Sequence, residues 1–559
     1  MSLDDYDDIV KANKPYPLWH GSLMPGNGDM QVESVPRPRM SLTSPDSRST
    51  TPPPASKSHN RVHTASEEDV AKAVETAHAR FLDGDWSRAP RQHRADVLDK
   101  AATLLAARLD VLIALEVRQT GRAIREMRAQ VPTLVRWFRY YAALLRTEER
   151  AVLPTTGGAL HNWVDRVPLG VVVLVTPFNH PLLIAVKKLA PALAAGNSVL
   201  LKPSERTPVT SLLLGPVLAA AGVPPGVFAV LPGLGATVGR ALVGHALVRK
   251  VDVTGGTPAG RAIGAVVGAN LARYTAELGG KAPLLVFAAA AVDAAVNGIA
   301  FGSFVASGQT CVASTRILVH SSILDEVRRK LAAKARSIEA RMGSPSNPAS
   351  TMGPVISGAQ LQVIEELVQS ALADGARLVH GGRRMTGASA LDGSDLSRGH
   401  FYPPTILDLG SVADPQPPIW QQQQHAGHPV IRTRLWHEEA FGPVVVLAGF
   451  DTEAQALALA NDGAYGLGAG LWTTDLAQAF RVAEQVRAGI VWVNTHHRND
   501  PSSPWGGLTP ASGVGSENGV DAYRAYTMTK STIINYASTE ESLADDDWFR
   551  EGAGSVRYG

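Results

Sequence analysis

The chain has 559 residues, of which 45% are hydrophobic, and its 53 Lys and Arg residues almost balance its 51 Asp and Glu residues. A chain of this length exceeds what one hydrophobic core usually organises, so we expect two or more domains. The net charge is close to zero, without the excess of basic residues that neutralising the phosphates of a nucleic acid requires, which argues against nucleic acid as a partner.

The sequence shows no membrane span, no signal peptide and no possible disulfide pair, which bears on the cellular compartment of the protein. No apolar run reaches transmembrane length, and the acidic segment 1–8 has neither the basic nor the apolar region of a signal peptide. Cys311 is the only cysteine, so no intrachain disulfide can form, which is compatible with a reducing compartment. We therefore expect a cytoplasmic protein with no membrane partner.

The N-terminal part of the chain changes character near residue 60. Residues 1–60 form an extension rich in Pro, Ser and Thr, clearest in Ser41–Ser58, which buries too little apolar surface to order itself. Order begins at Ser66, which can cap a helix together with Asp69 three residues later. Further amphipathic helices are expected to about Arg146.

Strands and helices alternate through the next part of the chain. A β-branched apolar run, Val167–Val175, predicts a strand buried on both faces, followed by a helix over Pro181–Ala195 and a strand over Ser198–Lys202. The pattern continues with a helix from Thr207 to Ala221, a strand over Gly226–Leu231, a helix over Gly239–Leu242 and a strand over Val248–Thr254. This alternation predicts a doubly wound α/β domain.

A second α/β region is expected between Lys281 and about Gly489, with helices near Leu324–Arg341 and Ala359–Asp374. Residues 414–434, rich in Pro, Gln and His, have no core pattern and predict a surface insertion. The acidic residues 541–559 predict a solvated tail.

A lone cysteine is either a small buried hydrophobe or a reactive nucleophile. The preceding residues 307–310 are small or polar and make a poor apolar packing run, while Val312–Val319 is typical of a strand. We therefore expect the Cys311 thiol to lie at the edge of an element, within reach of a substrate.

Two polar residues elsewhere can act with this thiol. Asn179 follows the predicted buried strand, at the sheet edge where ligands bind, and its amide can donate to an oxyanion; it can equally be a turn residue before Pro181. Glu277 precedes two glycines and can be a general base, although a Glu close to Lys281 is also typical of a solvated surface pair.

Candidate cofactor contacts follow the strands. Lys202 and Glu205 come directly after a strand and can bind a ribose. The segment Gly233–Gly239 is one residue too long for the dinucleotide-binding fingerprint, whereas Gly255–Gly260 places glycines after a strand and free N–H groups at a helix start. The scattered histidines predict no metal site, and His496-His497 is interpreted as a loop pair.

These stretches together resemble the aldehyde dehydrogenase superfamily, from about Arg61 to about Ala537. Six motifs occur in the family's order, which is more specific than any one of them. The matching stretches are Pro177-Phe178-Asn179, Lys202-Pro203-Ser204-Glu205, Thr254-Gly255-Gly256-Thr257, Glu277-Leu278-Gly279-Gly280-Lys281, Gly308-Gln309-Thr310-Cys311 and Glu439-Ala440-Phe441-Gly442-Pro443.

The resemblance implies a domain organisation. A Rossmann-like cofactor-binding domain would span 61–285, an α/β catalytic domain 286–489, and a return to the cofactor domain 490–540. The hairpin at 151–165 and the strand near Ser531–Tyr536 would form a small β oligomerisation element, which implies a homodimer or homotetramer.

The resemblance also assigns an aldehyde substrate and residue roles. Cys311 would attack the aldehyde carbon as a thiolate, Asn179 would hold the oxyanion, and Glu277 would activate the water that hydrolyses the thioester to an acid. Glu205 beside the adenosine ribose favours NAD, with NADP kept as an alternative because the side chain can swing away. The implied cofactor-binding residues are Thr176, Pro177, Phe178, Lys202, Ser204, Glu205, Gly235, Gly239, Gly255, Gly256, Thr257, Gly260, Leu278, Glu439 and Phe441.

Departures from the family pattern leave alternatives. Gly256 stands where Ser is frequent, Val253 where an aromatic residue is common, and His180 where many members have Phe, which predicts a more polar funnel or one suited to an aromatic aldehyde. A coenzyme A-acylating enzyme would not need the base Glu277. A non-catalytic NAD-binding or structural protein would not need the intact set of Asn179, Glu277 and Cys311.

Overall fold

The structure is a computed structural model that describes residues 29–32, 60–155, 159–411, 420–422, 429–545, 549 and 551–552. Most of the predicted 1–60 extension, 414–434 insertion and 541–559 tail lies outside these residues. The described residues of the first two include short strands: Asp29–Val32 pairs antiparallel with Asn60–His63, and Trp420–Gln422 pairs antiparallel with Pro429–Ile431. The described start of the tail belongs to the helix Thr539–Asp545.

The first large sheet has six strands. Their order across the sheet is Gly513–Val514, Arg273–Glu277, Val248–Thr254, Val171–Val175, Ser198–Lys202 and Phe228–Val230. The first strand pairs antiparallel with its neighbour, and all the other pairs are parallel. Parallel strands place their carboxyl ends at one edge, so Thr176, Lys202 and Glu277 lie along that edge.

The second large sheet has seven strands. Their order is Arg377–His380, Thr405–Ser411, Val444–Phe450, Ser314–His320, Ala282–Val286, Gly468–Trp472 and Ile490–Val493. The edge strand Arg377–His380 pairs antiparallel, and the other pairs are parallel. Cys311 precedes the strand Ser314–His320, as its sequence context predicted.

A third sheet of three antiparallel strands stands apart from these two. Its order is Thr527–Asn535, Leu160–Pro168 and Ala151–Leu153. This is the arrangement of the 151–165 hairpin and the C-terminal strand that the family resemblance implied. Four apolar side chains of this sheet are exposed: Val152, Leu153, Ile533 and Ile534.

Helices cover both faces of the parallel sheets. The α-helices among the described residues are Glu67–Asp83, Arg91–Ala106, Leu109–Thr120, Ile124–Gln130, Val135–Thr147, Pro181–Ala194, Val209–Leu212, Leu214–Ala221, Arg240–Gly244, Thr257–Ala269, Val292–Phe304, Ser321–Glu339, Gly358–Ala373, Arg434–His437, Glu453–Ala460, Leu476–Gln485, Gly519–Ala525 and Thr539–Asp545. Short 3₁₀ turns lie at Val131–Leu134, Val305–Gly308 and Leu396–Arg398, and a π-helical turn at Gly235–Gly239. None of the described helices is both long and apolar enough to cross a bilayer.

Several sequence predictions are confirmed at the level of single elements. The helix Glu67–Asp83 begins at the predicted cap, where Ser66 and Asp69 form a reciprocal capping box. The predicted strands over Ser198–Lys202 and Val248–Thr254 have the expected bounds.

Two predictions need correction. The run Val167–Val175 is not one strand, because the chain turns at Gly170, whose φ is +130°, and its halves join different sheets: Leu160–Pro168 and Val171–Val175. The helix predicted to begin at Gly239 begins instead with the π-helical turn Gly235–Gly239 and continues as Arg240–Gly244.

Candidate active site

A cavity of about 680 Å³ contains the two groups that sequence reasoning placed at the centre of the chemistry, Cys311 and Glu277. Cys311 lies on the turn before a strand of the seven-stranded sheet, and Glu277 ends a strand of the six-stranded sheet. The cavity therefore opens between the two sheets. Its apolar wall includes Trp137, Leu183, Ile184, Phe301, Phe304, Met352 and Trp505.

The nucleophile turn is held in an unusual backbone conformation. Ala306 and Ser307 have φ values of 54° and 56°, in the left-handed region that non-glycine residues rarely occupy, and Gly308 follows at 71°. Behind the turn, a Cβ built on Gly280 would lie 2.0 Å from the Cys311 carbonyl oxygen, so only glycine fits there. Cys311 is partly buried, and this burial together with the nearby Glu277 charge raises the pKa of its thiol to about 12.

The Glu277 carboxylate is buried and has no hydrogen-bond partner among the described residues. It is 2% exposed, and its burial together with the Glu517 charge raises the pKa of Glu277 well above its ordinary value, while Lys187 and Lys188 oppose that change. The alternative of a solvated Glu277–Lys281 surface pair is wrong, since both residues are buried. A buried carboxylate that is not neutralised by a partner is a suitable general base.

Asn179 reaches the nucleophile turn from the other sheet. It is 5% exposed, and its amide nitrogen Nδ2 donates a hydrogen bond of 2.8 Å to the backbone oxygen of Gln309. Asn179 does precede the helix Pro181–Ala194, as the turn alternative required, but its amide also contacts the loop that carries Cys311. One amide hydrogen is thus used to hold the loop, and the second is left for another acceptor.

A polar network that sequence reasoning missed lies beside Asn179. The guanidinium nitrogen Nη1 of Arg122 lies 2.7 Å from His180 Nδ1, and Gln130 Nε2 lies 3.0 Å from the same atom. An arginine only donates, so His180 Nδ1 is an acceptor and its proton is on Nε2, which lies 3.2 Å from Thr310 Oγ1. Burial and the Arg122 charge lower the pKa of His180, which keeps the ring neutral. The departure at His180 was recognised from sequence, but its partners were not.

A buried ionic cluster lies beneath Glu277 and was also missed. Glu517 pairs with Lys187 at 2.7 Å and with Lys188 at 2.6 Å. Lys188 pairs in addition with Asp252, which accepts a 2.5 Å hydrogen bond from the Tyr526 hydroxyl. The signal in the sequence was present, because two lysines in the apolar helix Pro181–Ala194 need buried anions as partners.

The predicted ribose contacts lie together at the edge of the six-stranded sheet. The Lys202 ammonium is buried, donates to the Pro203 carbonyl oxygen at 2.9 Å and lies 3.5 Å from the partly exposed Glu205 carboxylate. A Cβ built on Gly239 would lie 3.8 Å from the Lys202 side chain, whereas Gly235 faces open space. Two further predicted residues, Thr176 and Ser204, are buried along the same edge.

The glycine turn at Gly255 and Gly256 follows the strand Val248–Thr254 at the same edge of the sheet. Gly255 donates its backbone N–H to the Glu277 carbonyl oxygen at 3.0 Å, and Gly256 is the N-cap of the helix Thr257–Ala269. The Thr257 hydroxyl is used internally, donating to the Ala511 carbonyl oxygen at 2.6 Å. Gly260 has a packing reason of its own, because a Cβ built there would lie 2.4 Å from the Leu278 side chain.

The later motif closes onto the loop that follows Glu277. Glu439 Oε1 accepts a hydrogen bond of 3.1 Å from the Gly280 backbone N–H, and burial raises the pKa of Glu439 to about 7. Phe441 meets Phe178 edge to face, with ring centroids 5.6 Å apart, and Pro177 precedes that ring. Sequence motifs far apart in the chain therefore meet here.

The His496-His497 pair is a loop pair, as interpreted, but it is not remote from the cavity. The two Nδ1 atoms lie 2.6 Å apart, His496 Nε2 lies 2.7 Å from Ser314 Oγ, and His497 lines the cavity wall. Within the described residues, no group of three or more His, Cys, Asp or Glu side chains could hold a metal ion.

Fold and site define an α/β protein with a Rossmann-like sheet, in which a cysteine and a buried carboxylate face one cavity. The model of the "Aldehyde dehydrogenase family" matches residues 43–423 and 430–532. The chain belongs to the aldehyde dehydrogenase family.

Individual relatives cover most of the chain. It is 38% identical over 475 residues to a phenylacetaldehyde dehydrogenase of Pseudomonas fluorescens, covering 84% of this chain and 89% of the relative. It is 36% identical over 467 residues to the (Z)-2-((N-methylformamido)methylene)-5-hydroxybutyrolactone dehydrogenase of Acinetobacter baylyi, with the same two coverages.

Solved structures share the whole fold. A betaine aldehyde dehydrogenase from Staphylococcus aureus in complex with NAD⁺ superposes with a TM-score of 0.84 at 29% identity, covering 98% of this chain and 99% of that one. PnpE from Pseudomonas sp. WBC-3 gives a TM-score of 0.81 at 33% identity, covering 94% and 98%.

Proposed function

We propose that this NAD-dependent aldehyde dehydrogenase oxidises its aldehyde through a Cys311 thioester that Glu277-activated water hydrolyses. The observation that carries the proposal is that Cys311 lines one cavity together with the buried Glu277 carboxylate, which has no hydrogen-bond partner among the described residues. The relatives named for phenylacetaldehyde and betaine aldehyde support an aldehyde as the substrate. A hydrolytic enzyme needs such a carboxylate, whereas coenzyme A-acylating and non-catalytic proteins do not.

The first stage forms a bond between sulfur and the aldehyde carbon. The Cys311 thiol gives its proton to solvent, the sulfur attacks the carbonyl carbon as a thiolate, and the carbonyl oxygen becomes an oxyanion. The second amide hydrogen of Asn179 and the backbone N–H of Cys311 donate to that oxyanion. Loss of one such donor typically costs about 10²–10³ in rate.

The second stage releases the acid. When bound, NAD accepts the hydride that the reacting carbon loses as the oxyanion collapses, which leaves an acyl group on sulfur as a thioester. Glu277, having released its proton to solvent, takes a proton from water while the hydroxide oxygen attacks the thioester carbon. The Cys311 thiolate leaves and is reprotonated, and the products are a carboxylic acid and NADH.

The residues present fit NAD. Lys202 and the partly exposed Glu205 form a polar pair beside Gly239, at the sheet edge where dinucleotides bind, and Thr176 has a buried hydroxyl oxygen without a partner among the described residues. We assign the adenosine ribose to Lys202 and Glu205. A carboxylate there repels a 2′-phosphate, which favours NAD over NADP.

The remaining predicted contacts divide between the two ends of the cofactor. The phosphate end is assigned to the glycine turn and its neighbours, and the nicotinamide end to the residues that meet beside Glu277. The first set is Ser204, Gly235, Gly239, Gly255, Gly256, Thr257 and Gly260, and the second is Pro177, Phe178, Leu278, Glu439 and Phe441.

The mechanism is tested by following NADH absorbance and acid formation across an aldehyde panel. The intact protein should form both, Cys311→Ala should form neither, and Glu277→Gln should form NADH in one stoichiometric burst while the acyl group stays on the enzyme. A mass increase on Cys311 in Glu277→Gln identifies that intermediate. Steady turnover by Cys311→Ala would contradict the proposal.

We further propose that the three-stranded sheet is the surface of a homodimer or homotetramer. Ile533 is 61% exposed and Val152 63% exposed, although both lie within ordered strands. Exposed apolar side chains on a sheet mark an association surface. Light scattering should show an oligomer for the intact protein and a monomer for Ile533→Asp, with Lys530→Asp on the same strand as the control.

A further inference from the structure

The cavity wall contains a guanidinium group that is only partly used by the protein. Arg122 lines the cavity and is 3% exposed. Its Nε donates to Glu126 at 2.9 Å, and its Nη1 donates to Gln130 at 2.9 Å and to His180 Nδ1 at 2.7 Å. No described residue accepts a hydrogen bond from the remaining nitrogen, Nη2. A charged donor that lines a cavity and has no acceptor among the described residues can bind one supplied by a ligand.

The anion closest to Arg122 is already engaged. Glu126 accepts the backbone N–H of Ala306 at 3.2 Å as well as the Arg122 Nε, so it serves the nucleophile turn. Its contact is made at the Nε side of the guanidinium group. His180 contributes no negative charge, because its Nδ1 accepts from Arg122 and the ring is neutral.

Arg122 forms its ion pair with Glu126 at 2.9 Å, and the other two carboxylates of the cavity wall, Glu277 and Glu517, form no ion pair with it. Glu517 is neutralised by the two buried lysines beneath the cavity, and burial favours the protonated form of Glu277. At the cavity wall, Arg125 is exposed and Arg341 is too, and neither has an ion-pair partner among the described residues. Positive charges at a mouth and inside a cleft attract anions.

Resting on the function proposed above, we propose that the substrate is an aldehyde that carries a carboxylate at its far end, held by Arg122. Nη2 carries two N–H groups and part of the guanidinium charge, so it can donate a charge-assisted hydrogen bond to a carboxylate oxygen. The carbon skeleton lies against the apolar wall formed by Phe301, Phe304 and Ile184.

The length of the substrate follows from the contacts that connect Arg122 to the nucleophile. Thr310, the residue before Cys311, contacts His180 at 3.2 Å, and His180 contacts Arg122 at 2.7 Å. One imidazole ring and one threonine side chain therefore separate the guanidinium group from the nucleophile. A benzene ring or a short alkyl chain between aldehyde and carboxylate spans such a separation.

A matched pair of substrates tests this inference. para-Formylbenzoate and para-nitrobenzaldehyde have nearly the same shape, but only the first is an anion, and the stronger electron withdrawal by the nitro group works against the expected preference. We expect kcat/KM to favour the carboxylate by about tenfold or more. A ratio of one, or a preference for the neutral aldehyde, would overturn the proposal.

Variants assign the preference to Arg122. Arg122→Gln should lower the ratio of the two kcat/KM values by about ten- to a hundredfold, and Arg122→Lys should restore part of it. If Arg122→Gln also disturbs His180 or Glu126, the activity with both substrates falls together, and the ratio of the two kcat/KM values does not change for that reason. Arg128→Gln is the matched control, since Arg128 is an exposed arginine on the helix Ile124–Gln130, which follows Arg122, and does not line the cavity. An unchanged ratio in Arg122→Gln would overturn the assignment.

A binding measurement tests carboxylate recognition independently of the proposed reaction. It can also be made if Arg122→Gln does not fold. Titration calorimetry of Cys311→Ala with the same two compounds needs no turnover. Binding of para-formylbenzoate about tenfold tighter than para-nitrobenzaldehyde supports carboxylate recognition even if no aldehyde is oxidised. Equal affinities would refute it while leaving oxidation of neutral aldehydes intact.

Discussion

Removing one buried carboxylate, Glu517, should destabilise the protein in a pH-dependent way. Burial alone would raise the pKa of Glu517, but the charges of Lys187 and Lys188 lower it from an ordinary value of 4.5 to about 2. A difference of about 2.5 pH units at ~1.4 kcal/mol per unit corresponds to about 3.5 kcal/mol of stability at pH 7. Glu517→Gln should lower the free energy of unfolding by that amount, since it leaves two buried ammonium groups short of a partner.

The pH window follows from the direction of this pKa change. A carboxylate whose pKa is lower in the folded state stabilises the fold above its unfolded pKa and loses that effect as pH falls toward its folded pKa. The gap between wild type and Glu517→Gln should therefore be full at pH 7 and shrink below about pH 4.5 toward pH 2.

Urea unfolding followed by tryptophan fluorescence at pH 7 and pH 3.5 measures this gap. Asp521→Asn is the matched control, because its pair with Arg524 at 3.3 Å is exposed and should change stability by less than about 1 kcal/mol. Equal urea midpoints for wild type and Glu517→Gln at pH 7 would refute the reasoning. So would a gap that stays the same at both pH values.

Three further outcomes are expected. Glu517→Gln should move the acid limb of the hydrolysis rate to lower pH, because it removes a negative charge that raises the Glu277 pKa. Lys187→Met should move the same limb to higher pH, because it removes a positive charge that lowers that pKa. A shift of the limb in the same direction in both variants would contradict this reasoning. Gly280→Ala should lower kcat at least about a hundredfold, since its Cβ would clash with the nucleophile turn, and a near-normal rate would show that the turn gives way. Glu205→Gln should raise the ratio of kcat/KM with NADP to that with NAD by about tenfold, and an unchanged ratio would place Glu205 away from the ribose.

Local patterns carried most of the fold and the motif residues. The strand over Val248–Thr254 and the helix capped by Ser66 follow from periodicity and capping, which depend on neighbouring residues. The family motifs also gave the pairing of Cys311 with Glu277 across one cavity. The break at Gly170 was not visible, because the residues on both sides of it are equally suited to strands.

Contacts between distant residues were beyond reach from one sequence. Nothing in the local pattern around Lys187 or Glu517 names the other as its partner, although a lysine in an apolar helix requires some anion. Arg122 illustrates the same limit, since its partners lie on the helix that follows it and at His180, which is far away in the sequence. That Nη2 has no acceptor among the described residues can be recognised only when all its neighbours are in place.

Burial favours the protonated form of both groups of the proposed reaction in the free protein. Burial raises the pKa of the Cys311 thiol and of the Glu277 carboxyl group, and the negative charge of Glu277 raises the thiol pKa further. Protonation of Glu277 therefore favours ionisation of Cys311, because it removes the negative charge that opposes the thiolate. A thiol held protonated in the free protein is a poor target for oxidants. The thiolate therefore forms most readily while Glu277 is protonated, and Glu277 must lose that proton before it can activate water.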